Sequence, residues 1–229
     1  MKAVSNTFFV TGTDTGVGKT YVTSALLRCA RTAGIKACGY KPVASGSEMT
    51  ADGLRNEDAL ALWSESAPGL RYAQINPLTY APPIAPHVAA AQIGQPIDLA
   101  LLDRAHAELL AQHDLVITEG AGGWRVPLVG DVGFDDWVSA HRWPVVLVVG
   151  VRLGCINHAL LSVESIMRRT RLAGWVANRL PEGADAWQDT LDTLRARIEA
   201  PLLGVVPPGG GIEGAAAALR LPVGMAATV

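Results

Sequence analysis

Gly18-Lys19-Thr20 joins an apolar run, Phe8-Phe9-Val10, to an amphipathic segment that starts at Tyr21. A lysine and a threonine placed after glycines at a strand-to-helix junction are suited to holding phosphate. The glycines let backbone N–H groups converge on phosphate oxygens. The helix start adds unpaired donors and the positive end of its dipole. Lys19 would reach the β- and γ-phosphates, and the Thr20 hydroxyl would bind Mg²⁺. The spacing departs from the usual one, which puts four residues between the first glycine and Gly18. Here Gly12 is followed by five, and Thr13 stands where that glycine is expected.

Other groups suit the far side of such a site. Glu119 ends the apolar run Leu115-Val116-Ile117-Thr118 and precedes Gly120-Ala121-Gly122-Gly123. A carboxylate there can face Mg²⁺ across from Thr20. Lys41 closes a second apolar stretch, either as a second fixed positive charge near the γ-phosphate or as an ordinary exposed lysine. Asp58 is a candidate metal ligand. Glu57 and Asp52 compete for that role, and spacing does not choose among them. Gly154-Cys155-Ile156-Asn157 opens a helix whose backbone donors suit a carboxylate. Ordinary helix initiation explains the same residues. Cys155 reads as a small buried residue, because no partnered histidine is in register with it. His87 and His158 read as structural or surface groups, and Trp124 and Trp137 as packing.

These groups need a scaffold that brings strand ends together. Strands are expected at 7–11, 36–41, 115–119, 144–150, 172–177 and 202–206. Helices are expected to 33 from the phosphate loop, and at 57–63, 97–112, 134–141, 155–169 and 184–198. Asp98 is placed to cap the helix at 97–112. Residues 44–56 and 120–124 read as loops. Residues 67–96 read as irregular with short extended pieces, and 207–229 as an uninformative tail. Strands alternating with helices imply an α/β fold, a mostly parallel sheet covered on both faces. Ligands then bind where the strands end.

The chain has 229 residues, 49% of them hydrophobic, and a net charge of −2. One domain spanning 1–229 fits that length. The absence of a basic excess argues against nucleic acid and anionic membranes. Three scattered cysteines form no metal or disulfide framework, which fits a reducing cytoplasm. No signal-like segment is visible, and the most apolar stretch, 145–151, is too short to span a bilayer.

Several stretches together resemble the dethiobiotin synthetases, a P-loop NTPase family. They are residues 9–20 with the odd loop spacing, Gly39-Tyr40-Lys41-Pro42-Val43-Ala44-Ser45-Gly46, Gly53-Leu54-Arg55-Asn56, Glu119 to Trp124, Leu153 to His158, and Gly174 to Asn178. They run in family order to about Pro207. Gly16 stands at a position that is often acidic or polar in the family. The resemblance implies ATP- and Mg²⁺-dependent addition of CO₂ to 7,8-diaminononanoate, closing the ureido ring of dethiobiotin.

The resemblance also implies roles. Thr13, Asp14, Thr15, Gly16, Val17, Gly18, Lys19, Thr20 and Tyr21 would line the nucleotide, with Asn178 reading adenine and Pro207 beside the ring. Thr20, Asp58 and Glu119 would serve Mg²⁺. Thr15, Lys19 and Lys41 would be catalytic, with Lys41 and Ser45 on the carbamate side. Gly122 and its neighbours would line the substrate amines. A homodimer would bring the helix start Gly154, Cys155, Ile156 and Asn157 of one subunit to the carboxylate tail of substrate held mainly by the other. The competing reading is a P-loop switch or partition ATPase acting on a protein partner. Such proteins usually carry an early loop lysine, and positions 12–18 contain none. An amide-forming synthetase of cobalamin biosynthesis would be longer, and a noncatalytic module would leave Lys41, Asp58 and Glu119 without work.

Overall fold

The structure is a computed structural model, and it describes residues 6–180 and 186–222. In chain order the elements are β1 (Thr7–Gly12), α1 (Lys19–Thr32), β2 (Ala37–Tyr40), β3 (Val43–Ser45), β4 (Glu48–Thr50), β5 (Gly53–Arg55), α2 (Glu57–Glu65), α3 (Tyr72–Ile75), β6 (Leu78–Tyr80), α4 (Pro86–Gln92), α5 (Leu99–Leu110), β7 (Leu115–Gly123), β8 (Pro127–Val129), β9 (Val132–Gly133), α6 (Phe134–Ala140), β10 (Val145–Val151), α7 (Cys155–Met167), β11 (Leu172–Arg179), α8 (Trp187–Arg197), β12 (Leu202–Val206) and α9 (Gly211–Ala217).

Six parallel strands form the sheet, in the order β12-β11-β10-β1-β7-β2. The chain leaves β1 for the far edge at β2 and returns through β7, so the order reverses around β1. That reversal opens a crevice at the strand ends where α/β sheets take ligands. β1 and β10 are buried along their whole length. Continuous apolar runs such as Val145-Val146-Leu147-Val148-Val149 are what a strand covered on both faces requires. Each buried valine contributes about 1.5 kcal/mol or more.

The small strands were not expected. Residues 44–56 hold the end of β3 and the β4–β5 hairpin. Residues 67–96 contain α3, β6 and α4, so the segment is more ordered than its prolines suggest. Residues 120–123 are not loop: β7 runs on to Gly123 beside Gly12. The second strand stops at Tyr40, one residue before Lys41. The tail carries α9, docked on α1 through the Tyr21 hydroxyl, which donates to the Gly211 carbonyl at 2.6 Å. α8 begins at Trp187, and the expected start at 184 lies outside the described residues.

Candidate active site

The extra residue in the phosphate loop extends β1. The Thr13 N–H donates to the Val148 carbonyl at 3.0 Å, one step beyond the ladder that ends at Gly12. The loop then folds tightly back. A Cβ on Gly12 would lie 2.6 Å from Val17 Cγ2, and one on Gly18, where φ is +83°, would lie 2.2 Å from Asn178 Nδ2. Both positions therefore require glycine. The Asn178 amide donates to the Val17 carbonyl at 2.9 Å and braces the loop from β11. Asp14 Oδ1 accepts from the Thr15 N–H at 2.7 Å, and its Oδ2 meets Arg152 Nη2 at 2.6 Å. Lys19 Nζ rests on the Asp14 carbonyl at 2.9 Å. Burial, reinforced by the charge of Lys41, pulls the Lys19 pKa down to about 8.

Opposite the loop stands a compact ion cluster. Lys41 Nζ donates to Glu119 Oε1 at 2.6 Å, to Asp58 Oδ2 at 2.8 Å and to the Gly120 carbonyl at 3.2 Å. Thr20 Oγ1 donates to the same Glu119 Oε1 at 2.8 Å. Lys41 is 2% exposed and Glu119 fully buried. Burial opposes charge on Lys41, but Glu119 and Asp58 together raise its pKa above the ordinary lysine value. Burial likewise works against the Asp58 carboxylate. Lys41, the Thr20 hydroxyl and Lys19 override it and hold the Asp58 pKa below the usual range.

Local structure explains how Lys41 and Asp58 arrive there. The Lys41 N–H donates to the Ile75 carbonyl, and its own carbonyl accepts from Asn76 Nδ2. Both partners come from the stretch at 67–96. Asn56 caps α2 through the Ala59 N–H and ties it to the Ser45 carbonyl. Glu57 and Asp58 thus occupy the first turn, where the helix dipole favours acids. Of the three acids left open by spacing, Asp58 faces the cluster, while Glu57 and Asp52 are exposed.

A cavity of about 650 Å³ lies between loop and cluster. Of the residues named from sequence, Thr15, Gly16, Gly18, Lys19, Thr20, Lys41, Ser45, Asp58 and Gly122 border it. Glu119 is fully buried and does not line the cavity itself; it reaches it through Thr20 and Lys41, which do. Pro83, Ile84, Pro86 and Val126 form an apolar wall that sequence reasoning missed. The prolines that obscured this stretch were the available signal. Other expected site residues lie apart from the cavity. Tyr21 turns toward α9. Pro207 follows β12, whose Val206 is in register with Asn178. Gly154 caps α7 with φ +88°, next to the 96%-exposed Leu153. Cys155 is buried, His158 is exposed, and Trp124 and Trp137 are buried, as their patterns implied. His87 Nδ1 is buried without a hydrogen-bond partner among the described residues.

The residues fit a hard divalent cation. Glu119 Oε2 is buried and has no hydrogen-bond partner among the described residues. Beside it lie a second carboxylate and a hydroxyl, an all-oxygen donor set suited to Mg²⁺ shared with phosphate. Among the described residues no group of three or more His, Cys, Asp and Glu is arranged to hold a metal by itself.

A phosphate loop after the central strand of a parallel sheet, facing acids at the neighbouring strand end, defines a P-loop nucleotide-dependent α/β protein. A family profile described as an AAA domain matches residues 6–215. An ATP-dependent dethiobiotin synthetase of Pseudomonas aeruginosa (strain UCBPP-PA14) is 54% identical over 202 residues, covering 87% of this chain and 89% of that protein. One from Escherichia coli (strain K12) is 50% identical over 205 residues, covering 89% and 91%. A ParA family ATPase from Chlorobium tepidum TLS superposes with a TM-score of 0.54 at 13% identity, covering 95% of this chain and 91% of that one, which shows the fold alone. The chain belongs to the dethiobiotin synthetase family.

Proposed function

We propose that the chain joins CO₂ to 7,8-diaminononanoate and closes the ureido ring, converting ATP to ADP and phosphate. The observation that carries this reading is the Lys41–Asp58–Glu119–Thr20 cluster facing the phosphate loop across one cavity. A simple nucleotide switch has no use for a second buried lysine on the acceptor side.

The chemistry balances in three steps. One amine takes up CO₂ and loses a proton, giving a carbamate. A carbamate oxygen attacks the γ-phosphorus, and the bond to ADP breaks. The second amine then attacks the carbonyl carbon of the carbamic–phosphoric anhydride, phosphate leaves, and a proton is lost. Carbamate and triphosphate are both anionic, so their approach requires fixed positive charge. Lys19 serves the phosphates, and Lys41 with Ser45 serves the carbamate side. Thr15 and the loop N–H groups line the path between them. When bound, Mg²⁺ supplies charge that offsets the triphosphate; Thr20, Asp58 and Glu119 would hold it. The apolar wall suits the aliphatic chain of the diamine, and the backbone around Gly122 suits its amines.

Asn178 offers adenine a donor and an acceptor once its amide shares or leaves Val17, with Pro207 alongside. We further place the reaction in the cytoplasm and in a homodimer. Three free cysteines suit the first. The exposed Leu153, Leu161 and Met167 around α7 suit the second, in which Gly154 to Asn157 receives the substrate carboxylate. Among the described residues no helix is long and apolar enough to cross a membrane.

The test is phosphate release measured with and without diaminononanoate and bicarbonate. Substrate-dependent release with dethiobiotin formed is the expected result. Hydrolysis stimulated only by a protein or DNA partner would sink the reading.

A further inference from the structure

An ammonium group has three N–H donors, and those of Lys41 already have three acceptors: Glu119 Oε1, Asp58 Oδ2 and the Gly120 carbonyl. As it stands, Lys41 has no donor left for a substrate anion, although its side chain borders the cavity. Two of its acceptors are the carboxylates that the proposed function gives to Mg²⁺. The contradiction is resolved if those carboxylates are shared in time.

We propose that Lys41 is the resident counter-cation of Asp58 and Glu119, and that a divalent cation competes with it for them. The inference rests on the reading of Thr20, Asp58 and Glu119 as metal ligands. Two carboxylates within hydrogen-bond reach of one point repel each other unless a positive charge lies between them. Lys41 supplies that charge and keeps both acids oriented before metal arrives. Thr20 donates to the same Glu119 oxygen as Lys41. The other oxygen, Oε2, is buried and keeps no hydrogen-bond partner among the described residues, so it is an acceptor that Lys41 does not occupy. Once a divalent cation holds the acids, Lys41 Nζ gives up these partners and turns its donors to the cavity. Lys41 thus reaches the carbamate side only in the metal-loaded protein, which links its catalytic position to metal occupancy. Until then it is a positioning residue for the acids.

The probe is Mn²⁺ alone, titrated into the nucleotide-free chain and followed by paramagnetic resonance. Lys41→Met is expected to bind Mn²⁺ at least about tenfold more tightly than the natural chain, and Lys41→Arg within about threefold of it. Should Lys41→Met fail to fold, the natural chain supplies the readout through competitive acetylation followed by peptide mass spectrometry. Mn²⁺ should then speed modification of Lys41 at least about threefold relative to the exposed Lys36, since Nζ released from the two acids turns into the cavity, where the reagent reaches it. Unchanged Mn²⁺ affinity in Lys41→Met, or unchanged Lys41 acetylation, overturns the proposal. If Asp58→Asn weakens Mn²⁺ binding while Lys41→Met does not strengthen it, the competition alone fails. If Asp58→Asn also leaves Mn²⁺ affinity unchanged, the metal-ligand assignment falls with it.

Discussion

Two buried polar clusters sit at opposite ends of the same sheet and are built on opposite terms. At the strand ends, Lys41, Asp58 and Glu119 meet, and one carboxylate oxygen is left without a partner. At the other end, His106 Nε2 pairs with the Thr7 hydroxyl at the start of β1 at 3.0 Å. Its ring packs 4.4 Å from that of Trp143, which also stacks on the ring of His141 at 4.6 Å and meets that of Trp137 edge-on at 5.0 Å. Asp103 collects the Trp137 indole N–H and His141. Burial, aided by the charge of His141, lowers the His106 pKa to about 4, so the imidazole stays neutral. The histidine cluster is neutral at its centre and closed by aromatic packing. The lysine cluster keeps charge in the interior and leaves an acceptor open, which is costly for stability and useful for binding.

Breaking the first cluster should abolish chemistry. Lys41→Ala is expected to lower turnover by about 10³-fold, at the upper end for a lost electrostatic stabiliser. Nucleotide affinity, measured separately by calorimetry, should change only a few-fold. Equal losses in both would move Lys41 to the nucleotide.

Breaking the second should change stability alone. Below pH 6.5 the unfolded chain protonates His106, whereas the folded chain resists until about 4. Stability from this group is complete above pH 6.5 and falls as pH drops toward 4. The loss is on the order of 3 kcal/mol. Urea unfolding of His106→Asn across that window should show a flatter pH dependence, with turnover per folded molecule unchanged at neutral pH. A slope equal to that of the natural chain would show that other groups govern acid sensitivity.

Within the site, Asp58→Asn should cost at least about tenfold in Mg²⁺-dependent rate if Asp58 holds the metal as proposed, since an amide cannot carry the charge of a carboxylate ligand. Glu57→Ala should stay within about twofold, as surface substitutions do. The assignment fails if Glu57→Ala alone abolishes the Mg²⁺ dependence. A small effect of another kind concerns the exposed pair of Arg152 and Asp14. Arg152→Ala should weaken ATP binding by no more than about 1 kcal/mol, and added salt should erase the difference. A larger, salt-independent loss would mean that Arg152 touches a ligand directly.

The main sheet could be read from sequence because its strands are long apolar runs, each followed by helical periodicity. Lys41 and Glu119 were found for the same reason, as polar residues standing where such runs stop, and Thr20 as the hydroxyl after Gly18-Lys19 at the strand-to-helix junction. The small sheets escaped because strands of three residues, such as Val43–Ser45, carry no usable period. α9 escaped because Gly211-Ile212-Glu213-Gly214-Ala215 has no apolar stripe. The choice of Asp58 over Glu57 depended on the Asn56 cap, which fixes where the helix turns begin. The three acceptors that occupy Lys41 could not be foreseen, because they come from two parts of the chain distant from it in sequence, α2 and β7.

The pairing of β1 with β7 has one more consequence. Val10 lies opposite Glu119, but Gly12 lies opposite Gly123, so β7 carries two more residues than β1 over that span. This slack bends the strand just after its acid and brings the glycines to the phosphate loop. Composition is constrained there: a Cβ on Gly120 would lie 2.7 Å from Phe9 Cζ, and Gly122 has φ +67°. A single inserted or deleted residue there would shift Glu119 relative to Thr20 without altering any group that does chemistry. In related chains the residue count between the acid and Trp124 should therefore be as firm a mark of a working site as the glycines themselves.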